Sequence, residues 1–231
     1  MPTNLHATII YNAFSQGLDS EQIVAYHGTS LQTLKTIIET GKQSSDNLVE
    51  LSQIPQHYRL GDVCMYPING KATLPFVINL LEEEQALEGA GIYAEVAARE
   101  HTLAEKLGLD PFKARYELFG NYIEEAGDDY IDCSISTVNN VAFFSYLAYK
   151  ATGRKYERTE ILQLMKELEQ VQGVVLGYSQ QALDRGDPLP ITEGGDEDSG
   201  VRLVNVSIDS IMGIEVLDQV SWDFLNSLGK A

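Results

Sequence analysis

The sequence predicts an α+β fold, on three observations. A strand-like run lies near the start and a cluster of them toward the end, helical patterns dominate the middle, and no regular strand–helix–strand alternation of the doubly wound kind runs through the chain. The 231 residues are enough for one sizeable core, and the whole chain, 1–231, is expected to be a single domain.

The elements follow in order. Ile9 to Gln16 reads as a short helix. Glu21 to Tyr26 is short and apolar and ends at a polar, glycine-containing turn, the pattern of a strand. The turn His27-Gly28-Thr29-Ser30 is expected to link that strand to a helix. Ser30 suits the N-cap. Leu31, Leu34, Ile37 and Ile38 recur at helical spacing, and Gly41 supplies the stop.

Gln43 to Gly70 mixes turn residues with short apolar pieces, and Leu74 to Leu81 reads as a buried strand. Glu82-Glu83-Glu84 is a solvated turn or a helix start. Gly89-Ala90-Gly91 reads as a loop, with Ile92 to Ala94 a short strand after it. Val96 to Leu107 is rich in Ala and Glu, good helix formers, and stops at Gly108.

From Pro111 to Glu169 the pattern is mostly helical, with Val138 to Ala151 and Arg158 to Val171 the clearest stretches. Its character then changes. Gly173 to Tyr178 is a compact strand between glycines, and Asp184 to Gly200 is a loop dense in Asp, Glu, Gly and Pro. Val201 to Ile208 alternates as a strand does, Ile211 to Leu217 is another strand, and Trp222 to Leu228 is a last short helix.

Charge narrows the function classes. The chain carries 34 Asp and Glu against 16 Lys and Arg, a net charge of −18. That balance opposes binding to a phosphate backbone, where Lys and Arg contacts supply the affinity. It favours solubility and suits a basic protein partner. The two cysteines, Cys64 and Cys133, have neither metal-ligand spacing nor the density of a disulfide framework. Buried free thiols in a reducing compartment are expected. Met1 to His6 lacks a basic, then apolar, leader pattern, and no run approaches bilayer length. The expected location is the cytoplasm, or outside the cell by export without a cleavable N-terminal signal.

Three short segments carry candidate chemistry. His27 at a strand end offers a ring donor for a ribose hydroxyl. Gly28 beside it leaves its backbone N–H and C=O approachable by a ligand, and Thr29 and Ser30 add hydroxyls. Tyr93, after Gly91-Ile92, offers a ring that can stack on a flat heteroaromatic. The loop Glu193-Gly194-Gly195-Asp196-Glu197-Asp198 offers carboxylates that can bond ribose hydroxyls and stabilise charge developing at an anomeric carbon. The ordinary alternatives are a turn histidine bonded to local backbone, a half-buried tyrosine among twelve, and a solvated acidic turn.

Tyr26-His27-Gly28-Thr29-Ser30, then Gly91-Ile92-Tyr93 before an Ala-rich helix, resembles the ADP-ribosyltransferase superfamily in its His-Tyr-Glu branch. That branch includes the diphtheria-toxin-like enzymes and the poly-ADP-ribose polymerases. The order of the closing strands, Gly173 to Tyr178, Val201 to Ile208 and Ile211 to Val216, is similar to the way such folds complete a split, mostly antiparallel sheet. The stretch at about 111–170 then looks like a helical insertion.

The resemblance implies that His27 bonds the adenosine-side or nicotinamide-side ribose. It implies that Gly28 holds the nicotinamide amide and Tyr93 stacks on the ring. It also implies a glutamate at or just before Val201 to Ile208. Strict spacing lands on Ser199, so Glu197 is the nearest candidate and Glu193 the fallback. The expected activity is NAD-dependent mono-ADP-ribosylation of a protein or small-molecule acceptor, with NAD as substrate, no metal, and NAD hydrolysis as a side reaction. The departure at Ser199 motivates an alternative, a catalytically inactive module of the same fold that docks a basic partner through its acidic surface. An RNA 2′-phosphotransferase, from the same superfamily, is disfavoured by the charge.

Overall fold

A computed structural model describes residues 4–43, 63–74, 80–108, 145, 148–149, 152–185, 201–203 and 206–230. Within them the chain is α+β, with a small, mostly antiparallel sheet and six helices.

Helix α1 (Leu5–Gln16) starts a turn earlier than its apolar pattern suggests. The Asn4 side chain accepts from the His6 N–H at 3.1 Å and so caps it. Helix α2 (Leu31–Thr40) is bounded as its sequence predicts. Ser30 Oγ accepts from the Thr33 N–H at 3.1 Å, and the Gly41 N–H donates to Ile37 O at 2.8 Å from a left-handed conformation. Its buried residues are Leu31, Leu34, Ile37 and Ile38.

Strand β1 (Ala25–Thr29) corrects one expectation. It begins later than Glu21 and runs through His27, Gly28 and Thr29, which are strand and not turn. The cause is the partner. Strand β4 (Val174–Tyr178) pairs with all five residues of β1, His27 opposite Leu176 and Gly28 opposite Val175. Only Ser30 leaves the ladder, as the cap of α2.

Helix α3 (Glu83–Lys106) corrects another. Gly89-Ala90-Gly91 is not a loop and Ile92 to Ala94 is not a strand; both lie inside one continuous 24-residue helix. Glycine costs roughly 1 kcal/mol in a helix interior. Here Ala86, Ala90, Ala94 and Ala98, one every fourth position and all buried, lay a flat stripe on the sheet that outweighs that cost. Gln85 Oε1 accepts from the Glu82 N–H at 3.3 Å at the helix start. Glu83 and Glu84 in the first turn and Lys106 in the last suit the helix dipole.

The rest of the chain supplies β2 (Lys42–Gln43), β3 (Val63–Pro67), α4 (Arg158–Leu168), α5 (Gln180–Arg185), β5 (Val201–Leu203), β6 (Val206–Ser207), β7 (Ile211–Val216) and α6 (Gln219–Leu228). The sheet runs β5-β3-β1-β4-β7, every ladder antiparallel, and β2 pairs separately with β6. The single strand expected over Val201 to Ile208 is thus divided between two partners, and Ile208–Ser210 is a turn of 3-10 helix. Strand β1 pairs with β4 along its whole length but with β3 at only two positions, Ala25–Pro67 and Tyr26–Tyr66.

Of the buried strand expected over Leu74 to Leu81, residues 75–79 lie outside the described part, and Leu81 makes one parallel bridge to Ile68. Most of the expected insertion at 111–170 also lies outside it; α4 is its described end. Among the described residues no helix is long and apolar enough to cross a membrane.

The sheet separates two apolar clusters. On one side Ile10 of α1, Leu34 and Ile37 of α2 and Leu225 of α6 pack on Ala25, Leu176, Tyr178 and Ile214. On the other, Ala86, Ala90 and Ala94 of α3 pack on Tyr26, Val175, Ile23 and Ile68. Side chains alternate along a strand, so β1 sends His27 toward the first cluster and Tyr26 and Gly28 toward the second.

Candidate functional site

The imidazole of His27 is 7% exposed, and its ring meets the edge of Tyr178 at 6.5 Å and 60°. Tyr178 is fully buried, which pushes its hydroxyl well above the usual tyrosine range. Thr29, on the same side of the strand, is 3% exposed.

Gly28 faces the other way, into α3. A methyl group in place of its hydrogen would sit 1.8 Å from the carbonyl oxygen of Ala90 and 2.5 Å from the backbone nitrogen of Ala94. The glycine is there because a helix backbone lies directly on it. That is the close approach foreseen for this residue, made by the protein itself.

Ser30 is fully buried, and its oxygen serves two helices. Besides capping α2, it lies 2.5 Å from Nδ1 of His101, itself 4% exposed, midway along the C-terminal half of α3. Sequence reasoning missed His101. Its signal is its place seven residues, or two turns, beyond Ala94, on the same stripe that packs against the sheet. The signal is visible only once the helix is taken as continuous.

Tyr93 stands on α3, not on a strand. Its ring lies 5.8 Å from that of Tyr66, tilted by 58°. Tyr66 is paired with Tyr26 in the ladder, and so shares its side of the sheet. His27 and Tyr93 are therefore on opposite sides of β1, with the sheet between them. The candidate glutamates Glu193 and Glu197 lie outside the described residues.

The remaining polar contacts near β1 are internal as well. The Tyr26 hydroxyl donates to Glu83 Oε1 at 2.9 Å, and Lys71 Nζ donates to Glu83 Oε2 at 2.8 Å. Lys71 first and Tyr26 second hold the Glu83 carboxyl below its usual range. Burial first and the Glu83 carboxylate second push the Tyr26 hydroxyl above its own. Among the described residues there is no group of three or more His, Cys, Asp or Glu side chains arranged to hold a metal.

Of the residues picked from the sequence, β1 thus brings together His27, Gly28, Thr29 and Ser30. It joins them to Tyr178, Ala90 and His101, not to Tyr93. No family model matches this chain, and no curated protein or solved structure matches it at a significant level.

Proposed function

We propose that this chain is a non-catalytic, ADP-ribosyltransferase-like binding module that docks a basic partner through its acidic surface. One observation carries the reading. Ala90 and Ala94 of α3 cover the face of Gly28 toward which a side chain would point, and the neighbouring imidazole is closed in beside Tyr178. In this reading the His-Gly-Thr-Ser segment is the keel of the sheet and not a substrate pocket. The net charge of −18 supports the partner's chemistry. Glu84, Glu88, Glu157, Glu169 and Asp223 are among the acidic residues that stand exposed.

The test uses the whole protein in two assays. Fluorescent oligolysine is expected to bind with an affinity that falls steeply with salt, while oligoglutamate does not bind. NAD+ labelled in the nicotinamide is expected to release label only at the rate of buffer. Release above that rate, abolished by Glu197→Ala or Glu193→Ala, would overturn the proposal. Absence of oligolysine binding at low salt would remove the basic partner.

A second reading, an NAD-dependent mono-ADP-ribosyltransferase, is favoured by a different observation. Strand β1 registers antiparallel with β3 at Ala25 and Tyr26 and with β4 from Ala25 to Thr29. That antiparallel pairing supports the family's type of sheet. On this reading nicotinamide departs with the electrons of the bond to ribose. Glu197 or Glu193 stabilises the positive charge left on the sugar, and the acceptor's oxygen, nitrogen or sulfur attacks the anomeric carbon and gives up its proton to solvent. It requires α3 to withdraw from Gly28, and the nicotinamide assay separates the two readings.

A further inference from the structure

We draw no further inference here: the strongest candidate, the shallow cleft of about 310 Å3 where β7 meets α6, lined by Val216, Leu217, Asp218, Gln219 and the half-exposed Trp222, is a surface patch for which nothing in the structure shows what covers it.

Discussion

The two sides of β1 are built on opposite principles. Toward α1 and α2, the sheet presents large side chains such as Leu176 and Tyr178, and hydrocarbon fills the space between layers. Toward α3 it presents Gly28 beside Tyr26 and Val175, and where Gly28 meets Ala90 and Ala94 backbone meets backbone. The first kind of contact tolerates repacking, because side chains can turn. The second does not, because a peptide group has nowhere to go. The residues that looked like a pocket straddle this divide, and each is explained by the layer it faces.

The largest effect is expected from Gly28→Ala. With a backbone oxygen 1.8 Å from the new methyl, the loss of stability is expected to be roughly 3 kcal/mol or more. Urea unfolding is the measurement. A change below 1 kcal/mol would mean that α3 is free to lift from β1.

Ser30→Ala comes next. It removes a helix cap and one partner of a buried histidine together, for an expected loss of about 2 kcal/mol. A cycle with His101→Ala should be strongly non-additive. Additive effects would show that the Ser30–His101 contact contributes nothing.

Gly177→Ala sharpens the contrast, since its methyl would meet the tip of a side chain, Ile23 Cδ1, at 2.6 Å. The expected cost is about 1 kcal/mol. It should shrink in an Ile23→Val background, which removes that tip, whereas no side-chain trim rescues Gly28→Ala. Equal behaviour of the two glycines would erase the distinction between backbone and side-chain contact.

The smallest effect expected is that of Glu83→Gln. Its carboxylate and Lys71 are 49% and 35% exposed, so solvent screening leaves only a few tenths of a kcal/mol. The sign is fixed by the lowered folded-state pKa. The stabilisation is complete above the unfolded carboxyl's pKa and disappears as pH falls through the folded one. Wild type and variant should therefore converge in acid, and a gap that widens in acid would contradict the assignment. For Tyr26 the sign is opposite. Its raised pKa makes its contribution complete below the ordinary tyrosine pKa and lost with rising pH above it.

The legibility of the sequence follows the same physics. Helix α2 could be read closely because its stop signals are local: a serine cap, a four-residue apolar rhythm and a terminal glycine. Strands β4 and β7 were recognisable from apolar runs between turn residues. Glycine was misleading. In α3 two glycines suggested a loop, yet the alanine rhythm around them binds the helix to the sheet. In β1 the His27-Gly28 pair suggested a turn, yet five ladder positions with β4 hold it straight. At Gly28 and Gly89, a glycine that faces a close neighbour looks, in sequence, like a glycine that bends the chain. The candidate site was legible only as a set of neighbours along β1. The side to which each residue points depends on where the strand begins, and that is a tertiary matter.

His27 and Gly28 are both buried and belong to the core. The most direct test is to titrate the intact, isotope-labelled protein with NAD+ to millimolar concentration and follow the His27 ring and Gly28 amide signals by NMR. The account predicts that neither moves and that the Gly28 amide stays protected from hydrogen exchange. Saturable shifts of both signals, with nicotinamide accumulating in the tube, would contradict it.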